Sequence, residues 1–240
     1  MQKKQTKALV ICGHGSSVNL YKNDFKKSFN TIRNVIKANC FFCFIEKNKP
    51  SIDECLKILK KDGYTTIFFF PFLIFHGKHF ERDIKLRLKK LAKSLELKII
   101  LIDKISLIND VLPIMSKKIK KLLKKNRTNI LATFCSTSKN TNVVKELEAY
   151  TSEIGNLKGI KKVFSNFVGN ENSFLSKINE INHEKSFLII HPIFLFEGYL
   201  QKKNLDFFTK IENKEIYILS TLMKINDIDS MIVKKLKSFF

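Results

Sequence analysis

Three of the five histidines in this chain stand just past the ends of apolar, strand-like runs. His14 closes "LVICGHGSS" between Gly13 and Gly15, and His76 and His79 close "PFLIFHGKHFERDI" on either side of Gly77. A neutral imidazole is a good donor to Co2+, Fe2+, Ni2+ or Zn2+, and it also exchanges protons near neutral pH. Flanking glycines permit a tight turn and close approach of a ligand. Glu46 ends the run "FFCFIE" and could add a carboxylate to the same place. The expected site is therefore a metal centre built from His14 and His79, with Glu46 beside it and His76 as an outer partner or lid residue. His183 and His191 read as structural, the latter lying inside the apolar run before Pro192.

For these residues to meet, the strands that carry them must be neighbours. Apolar strands alternate with amphipathic helices along the chain. "KALVICG" (7–13) is followed by a helical pattern with Phe25, Phe29, Ile32 and Ile36 on one face. Strand "FFCFIE", helix "SIDECLKILKKDG" with an N-cap at Ser51 and a stop at Gly63, and strand "TTIFFFPF" come next. Helix "RDIKLRLKKLAKSL", strand "KIILID" and a basic helix through "SKKIKKLLKKN" complete the series. Strands that read as continuous apolar runs separated by helices imply a parallel sheet covered on both faces, a doubly wound α/β architecture. In such a unit the first and third strands are adjacent, and ligands bind beyond their carboxyl ends. His14 and His79 would then overhang one crevice.

The pattern repeats. "NILATFCSTS" is similar to "ALVICGHGSS", and "HPIFLFEGYL" to "FPFLIFHGKH"; an offset of 121 links Pro71 to Pro192 (192 − 71) and Gly77 to Gly198 (198 − 77). Extending that offset places His14 on Cys135, Ser17 on Ser138, His76 on Glu197 and His79 on Leu200. An internal duplication follows, giving two tandem Rossmann-like lobes: residues 1–125 with the histidines, and 126–240 without them.

Composition narrows the partner. A net charge of +22 over 240 residues suits an anionic ligand, although abundant Lys, Asn, Ile and Phe also fit an A/T-rich codon bias. Five scattered cysteines argue against a disulfide framework and for a reducing cytoplasm. Cys40 and Cys43 form C-x-x-C, but on a strand they face opposite sides, which makes them core residues. The apolar run at the start is too short for a signal peptide. "TIFFFPFLIF" is about half a membrane span and is broken by Pro71.

"ALVICGHGSSVNLYKNDF" and "FIEKNKPSIDECLKILKKDGYTTIFFFPFLIFHGKHFERDI", in that order, resemble the sirohydrochlorin/cobalt chelatase family, the class II tetrapyrrole chelatases of sirohaem and cobalamin synthesis. The resemblance covers most of residues 7–104, and the second half is similar to the duplicated, two-lobed members. It implies that His14 and His79 bind the metal. It also implies a divalent metal substrate, Co2+ or Fe2+ with Ni2+ admissible, no organic cofactor, and a tetrapyrrole bearing eight carboxylates. Ser16, Ser17, Lys22, Lys78 and Arg82 flank the two motifs and are the expected substrate contacts, with no nucleic-acid or membrane partner and a monomer or homodimer as the assembly. "FCSTS" departs from the glycine-histidine-glycine pattern, so no second metal site is expected there.

Other readings are weaker. A histidine phosphatase wants an Arg just before the His-Gly pair, where Gly13 stands, and no G-x-S-x-G elbow marks a hydrolase. A non-catalytic metal or tetrapyrrole carrier keeps the same residues but predicts binding without turnover. The run "KKIKKLLKKNR" reads as a solvated helix face, with no nucleic-acid motif beside it.

Overall fold

The apolar runs form parallel strands. The computed structural model describes residues 6–75, 77, 79–136, 138, 140–179, 186–199, 208 and 215–240, and of His79, Glu171 and Asn179 the backbone alone. Its first half comprises β1 (Lys7–Gly13), α1 (Asn19–Ile36), β2 (Cys40–Phe44), α2 (Ile52–Lys61) and β3 (Thr66–Pro71). A π-helical segment, His79–Leu86, then runs into α3 (Arg87–Ser94), followed by β4 (Lys98–Leu101). Next come a short π-helical turn Leu107–Val111, α4 (Leu112–Leu122), β5 (Thr128–Cys135), α5 (Thr141–Gly155), β6 (Ile160–Phe167) and α6 (Glu171–Asn179). β7 (Ser186–Pro192), β8 (Glu215–Ile218), a single 3-10 turn Leu222–Lys224 and α7 (Ile228–Lys237) complete the described elements. Among the described residues no helix is long and apolar enough to cross a membrane.

Among the described residues two four-stranded sheets result, β2-β1-β3-β4 and β6-β5-β7-β8, with every pairing parallel. The central strands explain the near-continuous apolar sequence. β3 and β7 are buried at every position and β1 at all but Lys7, as a sheet covered on both faces requires. The helices take local cues. α2 starts at a capping box in which Ser51 and Glu54 satisfy each other's backbone N–H groups. α1 turns Phe25, Phe29, Ile32 and Ile36 inward and ends at Lys37 in a left-handed conformation, φ 54°.

The duplication is visible in topology, but its register is not a single offset. The Phe72 N–H donates to the Cys12 carbonyl, and the Ile193 N–H to the Phe134 carbonyl, each at 2.8 Å. Likewise Ile45 N–H donates to Gly13 and Val168 N–H to Cys135, each at 3.0 Å. In the first segment the spacing is thus 122 (134 − 12 and 135 − 13), while Pro71 and Pro192 keep 121. The buried faces of the helices agree with 122: Phe25, Ser28, Phe29 and Ile32 of α1 match Leu147, Tyr150, Thr151 and Ile154 of α5. The expected match of His14 to Cys135 is corrected to Ser136, and Ser138 is the counterpart of Ser16 rather than Ser17. Both of these serines accept from the N–H two residues on, at 3.1 Å.

The compact units also divide elsewhere than the expected 125/126. One comprises Met1–Ile105 with Asp229–Phe240, the other Ser106–Ile228. α4 packs on α5 and so belongs to the second unit. Phe239 and Phe240 lie against Phe68 of β3, with ring centroids at 6.3 and 4.8 Å, and draw the last segment to the first unit. A repeat offset fixes where the strands recur but not which sheet a flanking helix covers.

Candidate metal centre

β1 lies between β2 and β3, so the carboxyl ends of all three strands share one rim of the first sheet. His14 is the first residue past β1. Its turn is fixed by backbone bonds to the segment after β2: Ile45 N–H to Gly13 O at 3.0 Å and Glu46 N–H to His14 O at 3.1 Å. Gly15, at φ 95°, is pressed onto this segment; a Cβ there would lie 1.8 Å from the Glu46 carbonyl oxygen. Gly13 has a different reason to be glycine, since a Cβ would meet the Phe25 ring at 2.8 Å.

These constraints bring imidazole and carboxylate together. His14 Nδ1 stands 3.7 Å from Glu46 Oε1 and 3.2 Å from the Gly15 carbonyl oxygen. Both side chains are about 40% exposed (40% and 41%), open to an incoming ion yet anchored by their backbones. The 3.7 Å gap is longer than a hydrogen bond. Among the described residues no set of three or more His, Cys, Asp or Glu side chains is placed to hold a metal.

The other expected site residues fall as follows. His79 opens the π-helical segment after β3, the strand beside β1. That segment is anchored by buried Phe80 and Ile84 and by the Phe80 N–H bond to Gly77 O at 3.0 Å. π-helical turns are frequent at functional sites. His76, Lys78 and His183 lie outside the described residues. Ser16 is half-buried and Ser17 exposed at the start of α1, where Lys22 is half-buried. Arg82 is exposed, and its Nε bonds the neighbouring Asp83 carboxylate at 2.9 Å. His191 is fully buried, with Nε2 2.9 Å from the Tyr150 hydroxyl, and burial lowers its pKa to about 3. All five cysteines are free and buried, as expected of core thiols.

Two polar residues around the His14 turn had no signal in the sequence. The Tyr21 hydroxyl accepts the Gly15 N–H at 3.1 Å and also bonds the His14 backbone; burial pushes its pKa up to about 12. Asn48 Oδ1 accepts the Ser16 N–H at 2.7 Å. Between Glu46 and Asn48, Lys47 takes φ 62°, and the Asn48 N–H closes a three-residue turn on Glu46 O at 2.7 Å. A lysine in this conformation is uncommon and costs local energy. Tyr21 lies on the following helix and Asn48 beyond the next strand, so neither belongs to a short motif.

Comparison with known proteins identifies the family. A family model described as CbiX matches residues 8–122, a stretch that contains His14, Glu46 and His79. A sirohydrochlorin cobaltochelatase of Sulfolobus acidocaldarius is 31% identical over 122 residues, which make up 48% of this chain and 91% of that protein. The chain belongs to the CbiX family. A second relative, the sirohydrochlorin cobaltochelatase of Sulfurisphaera tokodaii, is 28% identical over 123 residues, 48% of this chain and 93% of its own. Each aligns over nearly its whole length with about half of this chain, consistent with one copy of the duplicated unit. The fold is shared with solved structures over nearly the whole chain. SirB from Bacillus subtilis with Fe3+ superposes with a TM-score of 0.84 at 17% identity, over 98% of this chain and 95% of that one. The cobalt complex of SirB from the spizizenii subspecies gives 0.79 at 18% identity, with the same coverage.

Proposed function

We propose that this protein is a sirohydrochlorin chelatase, inserting a divalent metal, Co2+ or Fe2+, into a polycarboxylate tetrapyrrole for cobalamin or sirohaem synthesis. The observation that carries the reading is the His14–Glu46 pair, half-exposed and 3.7 Å apart at the rim of a CbiX-family sheet. His14 and His79 hold the metal as substrate, and Glu46 lies alongside to offset its charge. Insertion releases two pyrrole protons as the metal–nitrogen bonds form; Glu46 or a histidine freed by the departing ion accepts one of them and the other passes to solvent. The net charge of +22 supports capture of the anionic macrocycle, with Ser16, Ser17, Lys22, Lys78 and Arg82 as contacts. Arg82 reaches a carboxylate only by sharing or leaving Asp83. No organic cofactor enters this scheme, and a single chain carries every residue it uses. The five free cysteines favour a reducing, cytoplasmic setting.

The test is an absorbance assay of the purified chain with sirohydrochlorin and Co2+, Fe2+ or Ni2+ in turn. A metal-dependent spectral change over many turnovers supports a chelatase. A change limited to one equivalent of protein supports the carrier reading instead.

A further inference from the structure

A metal-binding turn made of two glycines and a half-exposed histidine needs something to hold it still before the ion arrives. His14 and Glu46 come from different strands, and their carboxyl-end loops touch through the backbone bonds described above. Two further groups close the arrangement from outside the motif. Beneath it, the Tyr21 hydroxyl takes the Gly15 N–H at 3.1 Å, and a Cβ on Gly13 would come within 3.0 Å of the same oxygen. Tyr21 is itself held by stacking on Phe25, at 6.4 Å between ring centroids and 12° between planes; Phe25 is fully buried against Phe44 and Phe72. Across the turn, Asn48 Oδ1 takes the Ser16 N–H at 2.7 Å, while its own N–H is bonded back to Glu46 O. Asn48 therefore ties the residue two past His14 to the residue two past Glu46.

We propose that Tyr21 and Asn48 are positioning residues that clamp the His14 turn against Glu46, so that imidazole and carboxylate are presented together to one cation. The inference rests on the metal-site reading of the previous subsection and deepens it. Neither side chain touches the metal or the macrocycle in this scheme; each acts through the backbone of a residue beside a ligand. Outer partners of this kind typically change metal affinity by about 10–100-fold when removed. Lys47 gives the clamp its shape. Its left-handed backbone folds residues 46–48 tightly enough for the Glu46 carbonyl to abut Gly15 while Asn48 reaches Ser16.

The experiment titrates the metal-free full chain with Co2+ alone, following visible absorbance and heat. It compares wild type with Tyr21→Phe, Asn48→Ala and Asn48→Asp. Tyr21→Phe and Asn48→Ala are expected to weaken Co2+ by at least about tenfold. Asn48→Asp keeps the acceptor for Ser16 N–H and is expected to recover most of the loss. In the insertion assay Tyr21→Phe should raise the KM for Co2+ and leave the KM for the tetrapyrrole unchanged, a split that loss of folded protein does not produce. If Tyr21→Phe does not fold, the two Asn48 variants decide. Co2+ affinities within threefold of wild type overturn the clamp while leaving the metal site intact. Failure of the wild type itself to bind Co2+ overturns the metal site and the clamp with it.

Discussion

Glu46 Oε1 stands 3.7 Å from His14 Nδ1, although thirty-one intervening residues and a whole helix separate the two in sequence (46 − 14 = 32). The parallel pairing of β1 with β2, in which Gly13 is opposite Phe44, makes this neighbourhood unavoidable. What remains adjustable is the charge of the carboxylate. Glu46→Gln keeps the shape and the backbone bonds to His14. It should leave the melting temperature within a few degrees of wild type and weaken Co2+ binding by about tenfold. Calorimetric titration of the metal-free protein checks both halves of the statement.

Gly15 tests the geometry from the other side. An alanine Cβ would stand 1.8 Å from the Glu46 carbonyl oxygen, a backbone atom that cannot step aside alone. The left-handed conformation at φ 95° adds about 1–2 kcal/mol for any residue with a Cβ. Gly15→Ala should therefore separate the two loops and abolish measurable Co2+ binding. Gly77→Ala, with open space around the added Cβ, should disturb the fold far less. Thermal melts and Co2+ titrations of the two variants make the comparison.

The second unit carries a pH dependence of its own. His191 is held neutral in the interior, with its pKa lowered by burial to about 3, against an ordinary value of 6.5. Above pH 6.5 neither folded nor unfolded chain binds a proton at this ring. Between about 6.5 and about 3 the unfolded chain binds one and the folded chain does not, so stability falls as pH falls. The slope from this one group is at most about 1.4 kcal/mol per pH unit. His191→Gln, which keeps a polar atom near Tyr150 and cannot take up the proton, should show a shallower loss of melting temperature between pH 6.5 and 4.5. Parallel curves for the two proteins would assign the acid sensitivity to other groups.

Thiol accessibility provides an independent check on the core. Cys12, Cys40, Cys43, Cys55 and Cys135 are all buried, and burial raises the thiols of Cys40, Cys43 and Cys135 above their ordinary range. A thiol reagent at neutral pH should label none of them in the native protein and all five after denaturation.

The residues that fold the chain were the easiest to read. Unbroken apolar runs such as "TIFFFP" have one good solution in a helix-rich chain, a strand buried on both faces, and the sheet order follows from it. The placement of His14 and Glu46 at one rim was legible for the same reason. Register within the repeat was not. Pro71, Gly77 and their partners fix an offset of 121, yet backbone hydrogen bonds show one more residue between the copies of β1 than between the copies of β3. Nor could the sequence assign Asp229–Phe240 to the first unit, because the aromatic contacts with Phe68 depend on the path of the folded chain. Tyr21 and Asn48 were hidden for a related reason: their bonds are to backbone N–H groups, which leave no complementary side chain to find.

The central claim is that His14 and His79 share the metal that is inserted. Its most direct test is the rate of Co2+ insertion into sirohydrochlorin by wild type, His14→Ala and His79→Ala, with folding verified by circular dichroism. We expect each substitution to cut insertion by at least about a hundredfold while the folded state persists. Insertion at the wild-type rate in either folded variant would contradict the shared site.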